Sequence, residues 1–113
     1  MKCISVKQPW ANLIASGKKT IETRTWNTNY RGKILIASSR KPNIYPAGYV
    51  VAMVTLIDCR DMELEDEDFA CCGHREGLKA WVLDDIRKIK PIPVKGQLSI
   101  YESGIEEEDL EFL

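Results

Sequence analysis

Residues 48–59 read Gly-Tyr-Val-Val-Ala-Met-Val-Thr-Leu-Ile-Asp-Cys, an apolar run with no polar alternation over most of its length. A half-exposed strand alternates apolar and polar residues, because successive side chains point to opposite faces. An unbroken run this rich in β-branched residues is instead a strand buried on both sides. The rest of the chain must supply the cover, and 113 residues are enough for one domain with one real core.

Several shorter runs join it. Residues 2–6 carry Ile4 and Val6 and read as a first strand. Residues 19–26 (Lys-Thr-Ile-Glu-Thr-Arg-Thr-Trp) are β-branched with charges interspersed, and 33–38 are apolar, so both are strands. Residues 80–83 form another, 86–93 bend at Pro91 and Pro93, and 94–101 close the domain as a last strand. Loops are expected at 27–32 and at 39–48, where Pro42, Pro46 and Gly48 cluster. One helix stands out early: Pro9 suits a first helical position, Trp10, Leu13 and Ile14 make one apolar stripe, and Gly17 can end it in the left-handed region. A second short helical segment is expected within the acidic stretch 62–76. Roughly six strands and two short helices make an α+β fold. So many strands on so short a chain tend to close into a small β-barrel, since closure removes exposed edges. The expected layout is a single domain over 1–113, with its core in 2–102 and an acidic tail, frayed or briefly helical, at 103–113.

No apolar stretch approaches the ~20 residues of a membrane span. The start of the chain is interrupted by Lys2 and Lys7 and has no signal-peptide pattern, so a cytoplasmic protein with reduced thiols is expected. Cys3 and Cys59 fall in apolar runs and read as small core residues. Charge is unevenly distributed. Residues 1–60 hold ten Lys or Arg against two acids, Glu22 and Asp58, while 61–113 hold six against fifteen. A positive half fits an anionic partner, and two solvated acidic segments late in the chain explain the same count.

The densest chemistry is Gly17-Lys18-Lys19-Thr20-Ile21-Glu22-Thr23-Arg24. Glu22 and Arg24 share one face of a strand, roughly 7 Å apart along the chain. Lys19 has the opposite parity, but it adjoins the turn at Gly17, so periodicity does not fix its direction. A charged outer face of a half-exposed strand accounts for the pattern equally well.

These residues, with Ile4-Ser5-Val6-Lys7-Gln8-Pro9-Trp10-Ala11 before them, resemble the opening of ASCH domains (activating signal cointegrator homology). The family's GxKxxExR pattern stands complete as Gly17, Lys19, Glu22 and Arg24. Trp26, Tyr30-Arg31-Gly32 leading into Ile34, Gly48-Tyr49 leading to Asp58, Trp81-Val82-Leu83 and Pro91-Ile92-Pro93-Val94-Lys95-Gly96 extend the likeness over residues 3 to 101. The resemblance implies a PUA-like barrel with a cleft beside the first helix, lined by the motif residues. It also implies an RNA or nucleotide-like ligand; from the residues themselves no metal and no cofactor are expected. Some members are linked to RNA cleavage or to removal of the acetyl group of N4-acetylcytidine, so a small hydrolase acting on RNA or acylated nucleosides is the alternative to a binding module.

In either case Lys19, Glu22 and Arg24 carry the site. Lys19 offers a compact positive charge for a phosphate or oxyanion. Glu22 can accept from a base edge or act as general base, so Lys19 and Glu22 would be the catalytic pair of an enzyme. Arg24 can fork onto a phosphate, or hold Glu22 in place. One departure bears on the hydrolase: acetylcytidine-hydrolysing members have threonine at the position of Glu22 and a separate later glutamate. No later glutamate here matches that partner by pattern, and Glu63, Glu65 and Glu76 are candidates only by lying in the later half. Trp26, Tyr30 and Arg31 are expected to add stacking and phosphate contacts, as single-stranded nucleic acid requires, whereas Trp10 and Trp81 read as core. Cys71, Cys72 and His74 are metal-capable types, but their spacing with Cys59 matches no paired zinc motif. No phosphate-binding glycine loop, nucleophile elbow or dinucleotide fingerprint appears. The acidic segments leave room for a basic protein partner.

Overall fold

The computed structural model describes residues 1–113. Six strands, β1 (Lys2–Val6), β2 (Ile21–Arg24), β3 (Gly32–Ser38), β4 (Tyr49–Asp61), β5 (Lys79–Pro93) and β6 (Tyr101–Glu102), form one sheet in the order β2-β5-β4-β3-β1-β6. The helices are short: α1 (Trp10–Ala15) follows β1, and α2 (Glu67–Ala70) follows a 3-10 turn at Leu64–Asp66. The fold is thus α+β, a small barrel-like sheet with two short helices.

The apolar run that dominates the sequence becomes β4, the middle of the sheet, and it is buried on both faces up to Leu56. Val51, Val54 and Leu56 join Ala11 and Ile14 of α1, with Ile34, Ile36 and Trp81, in one core. Val50 and Met53 face the other way, with Leu35, Ala37 and Ile89, into a second. The neighbouring β3 splits its side chains between the same two cores, as strand alternation requires. Beyond Leu56 the cover ends and Ile57 is half exposed.

The second core is closed by the tail. Ile105 is buried in it, Leu110 and Phe112 pack against it, and Phe112 forms a bridge with Ile89. The segment 103–113 is therefore a strap with a single 3-10 turn at Glu107–Asp109, not a frayed end.

Residues 94–101 depart from the expected closing strand. Only Tyr101 and Glu102 pair, with Cys3 and Lys2, and 94–100 form a loop in which Ser99 takes φ 59, a conformation no strand accommodates. The expected bend at Pro91 and Pro93 is instead the end of the 15-residue β5. There β5 has β4 on one side only, because β2 reaches no farther than Val82 and the tail pairs no farther than Lys90, so the prolines cost no ladder bond. Cys59 also departs: it is partly exposed, its thiol 3.6 Å from Asn27 Oδ1, while Cys3 is fully buried.

The sheet curls without closing. Its end strand β2 meets the outer side of β1, where β6 pairs only with Lys2 and Cys3 and leaves residues 4–6 uncovered. Across this seam runs a side chain rather than a ladder: Arg24 Nη2 donates to the Ser5 carbonyl at 2.8 Å.

Candidate functional site

A cleft of about 1050 Å³ opens at this seam. Its walls come from the end of β1, the motif on β2, the end of β3 and the loop 94–99. Six cations line it, Lys7, Lys19, Arg24, Arg40, Arg75 and Lys95, against one carboxylate, Glu22.

Lys19 is the most deeply placed charge, only 1% exposed. Gly17 ends α1 at φ 83, and the chain then turns so that the Lys18 and Lys19 amides both donate to the Leu13 carbonyl at 3.0 Å. This turn, not strand parity, directs Lys19 inward. The end of α2 receives it. The last carbonyls of a helix have no partners of their own, and here three successive ones are claimed from outside. Phe69 O accepts from the Thr20 amide at 2.9 Å, Ala70 O from Lys19 Nζ, and Cys71 O from Trp10 Nε1 at 3.5 Å. Cys71, at φ 55, ends the helix in the left-handed region and turns its carbonyl toward Trp10.

Glu22 stands between two cations. Its Oε1 lies 3.5 Å from Lys19 Nζ, and its Oε2 is 2.9 Å from Arg24 Nη2. Arg24 Nη2 thus serves Glu22 and Ser5 together, while Arg24 Nε is buried with no hydrogen-bond partner in the protein. A buried donor without a partner costs about 1–3 kcal/mol, which a ligand oxygen would offset.

The other four cations form no ion pair with any acid of the chain. The Arg40 guanidinium lies against Gly48, whose φ of 81 and missing side chain let it approach: a Cβ there would meet Arg40 Cζ at 3.2 Å. Below the cleft, the Tyr101 hydroxyl lies 3.3 Å from both Ser5 Oγ and Cys3 Sγ. Burial pushes the Cys3 thiol up to about 11, and burial with the Cys3 contact pushes Tyr101 up to about 12. Both stay neutral at ordinary pH, so the floor adds no charge to offset the cations above.

The three motif residues are thus brought together. Trp26, Tyr30 and Arg31 lie outside this cleft. Trp26 packs edge-on against Trp81, ring centroids 4.8 Å apart, and lines an adjoining shallow groove with Thr23, Cys72 and Arg75. The Tyr30 hydroxyl donates to Lys33 O at 2.5 Å, and Arg31 is spent on the Thr28 and Tyr30 carbonyls and on Asp58 at 3.8 Å. Trp10 is half core, half wall: it packs on the first core and also lines the cleft. Of the late acids, neither Glu63, Glu65 nor Glu76 lines the cleft. No three His, Cys, Asp or Glu side chains gather closely enough to hold a metal ion. Cys72 lines the cleft beside Thr23, 3.8 Å from its hydroxyl.

Sequence reasoning missed Arg40, Arg75, Ser38 and Ser39, which sit in loops or at a strand end with no motif around them. Lys7 and Lys95 stood inside the resembling stretches, and their flanking Pro9-Trp10 and Gly96 were the available signal.

A curled sheet open at one seam, with a buried Lys–Glu–Arg motif in the gap, defines a class, and comparison with known proteins agrees. The family model for the ASCH domain matches residues 4–93, and the chain belongs to that family. It is 34% identical over 91 residues to human activating signal cointegrator 1, covering 59% of this chain and 16% of that protein; the mouse protein gives 33% over the same length. The match therefore spans a small part of these relatives. The crystal structure of ASCH from Zymomonas mobilis shares the fold, with a TM-score of 0.73 at 19% identity over 96% of this chain and 89% of that one. A mutant of that protein gives 0.71 at 19% identity, over 96% and 91%. No helix is long and apolar enough to cross a membrane.

Proposed function

We propose that the protein is a binding module for RNA or a nucleotide-like anion, held in the cleft beside α1. The observation that carries this reading is the lining of six cations against a single carboxylate that two of them already engage. The free cations Lys7, Arg40, Arg75 and Lys95 suit phosphates, and Trp10 offers a partly exposed ring beside them. Membership of the ASCH family supports the same ligand class. Trp26 in its adjoining groove extends the surface along which a strand can run.

The test is the salt dependence of binding to labelled single-stranded RNA, followed by fluorescence anisotropy. Each phosphate contact releases counterions, so log affinity falls with log salt by about 0.7 per contact on a single strand. Arg40→Ala and Lys95→Ala should each weaken binding and flatten that slope by about 0.7. A wild type that fails to bind RNA at low salt removes the reading.

One observation favours a second reading, a small hydrolase: the Lys19 ammonium and the Glu22 carboxylate are adjacent within the cleft, an arrangement able to pass a proton. Product formation from RNA or N4-acetylcytidine, lost in Glu22→Gln below its melting temperature, would establish it. With no carboxylate but Glu22 in the lining, the later glutamate of the acetylcytidine-hydrolysing members has no counterpart at the site. RNA is accordingly the better substrate to try first.

A further inference from the structure

Gln8 is a buried polar residue at the mouth of α1, 5% exposed, and its amide joins two elements. Its Oε1 accepts the Asn12 amide at 3.0 Å, and its Nε2 donates to Ser38 Oγ at 3.0 Å. The orientation of this amide is not free. Asn12 N–H is a main-chain donor in the first turn of α1, where amides have no partner in the helix. Ala11 and Leu13 are satisfied by the Lys7 and Pro9 carbonyls at 3.1 Å, which leaves Asn12 to the side chain. A donor needs an acceptor, so the oxygen of Gln8 must face Asn12 and its nitrogen must face Ser38.

That fixes the Ser38 hydroxyl in turn. An oxygen receiving the Gln8 N–H must send its own proton elsewhere, and no acceptor in the protein takes it. Ser38 is the last residue of β3 and lines the cleft. We infer that Ser38 is a directional hydrogen-bond donor to the cleft, set by Gln8, and that it selects a ligand oxygen that can only accept. A phosphate oxygen or a base carbonyl presents such an atom; an amino group does not. The unpartnered Arg24 Nε asks for the same chemistry from the other side of the seam. This deepens the nucleic-acid reading and rests on it. Gln8 touches no ligand and is a positioning residue; Ser38 makes the contact.

The test is a double-mutant cycle on the full chain, with fluorescein-labelled single-stranded RNA of mixed sequence at low salt. Ser38→Ala removes the donor with little change of shape and should weaken binding about tenfold, the usual effect of losing a hydrogen bond to a charged acceptor. Gln8→Glu keeps the acceptor for Asn12 but replaces the donor facing Ser38 by a second carboxylate oxygen. The Ser38 proton then turns toward that new carboxylate, away from the cleft, so Ser38→Ala should have no further effect in that background. The charge added by Gln8→Glu acts equally in both arms and cancels from the cycle. A purely structural role for Gln8 would lower the melting temperature and leave the tenfold effect of Ser38→Ala intact. Wild-type binding with Ser38→Ala unchanged would overturn the inference and leave the RNA reading standing. The same tenfold loss in both backgrounds would overturn the orientation by Gln8. A wild type that does not bind RNA would remove the reading and this inference together. Should Gln8→Glu fail to fold, Ser38→Ala and its rescue by Ser38→Thr carry the test, since threonine restores the hydroxyl.

Discussion

The charges of the cleft and those of the tail are built from the same residue types and do different things. At the seam, Lys19, Glu22 and Arg24 sit where side chains keep at most a quarter of their exposure, and each holds a carbonyl or a counter-charge. Along the tail, Lys33–Glu107 and Lys90–Glu111 are pairs in which every partner is about half exposed or more. Water and salt screen the outer pairs, and the strap is held by Ile105, Leu110 and Phe112 beneath them. The inner cluster is screened far less, so each member depends on the others.

The contrast can be broken most directly at Glu22. Glu22→Gln leaves Lys19 and Arg24 without their carboxylate, and removing one partner of a buried pair typically costs about 3–5 kcal/mol. Urea denaturation should show that loss, and a value under about 1 kcal/mol would place the cluster in the same class as the tail. A smaller effect comes from the neutral floor. Cys3 is held up to about 11 from an ordinary 9.0, and Tyr101 to about 12 from 10.0. The unfolded chain therefore releases protons that the folded one keeps, and stability falls as pH rises from about 9. Cys3→Ala should make that alkaline decline shallower.

Asp66 stands between the two classes: buried itself, it pairs with the 40%-exposed Arg60 at 2.6 Å. The Arg60 hydrogen bond holds its carboxyl below the usual 3.8. Its contribution is present above about pH 4 and is lost as pH falls below that value, so Arg60→Ala should flatten the acid limb of stability and leave pH 7 binding unchanged. The smallest effect is expected for Glu107→Ala, about 0.2–1 kcal/mol at low salt and nothing measurable in molar salt. A salt-resistant loss there would mean that the strap depends on its charges after all.

The parts of this arrangement that follow local rules were legible in the chain. Gly17 ends α1 as its position suggests, β4 is covered on both faces to Leu56, and Glu22 and Arg24 share a face. What sequence could not supply were meetings across the fold. Lys19 and Ala70 lie 51 residues apart, and no periodicity connects them. Trp26 and Tyr30 looked like stacking residues because they flank a loop in the basic half; Trp26 packs edge-on against Trp81 beside an adjoining groove and Tyr30 bonds to Lys33, both outside the main cleft. The loop 94–100 read as a strand because apolar residues alternate there; its neighbour β1 pairs with β6 only at Lys2 and Cys3, so nothing holds that stretch extended.

The acidic stretch before Cys71 enters the site through its main chain. Phe69, Ala70 and Cys71 lend three carbonyl oxygens to Thr20, Lys19 and Trp10, while the side chains of Glu65, Glu67 and Asp68 take no part in the cleft. Every residue type carries the same carbonyl, so what those acids are is immaterial to Lys19 as long as the backbone keeps its course. Mutational tolerance at Glu65 and Asp68 should look like that of an idle surface, unlike Asp66 with its Arg60 pair and Glu67 with the His74 amide, whereas a one-residue deletion, which shifts all three oxygens at once, should unseat the lysine.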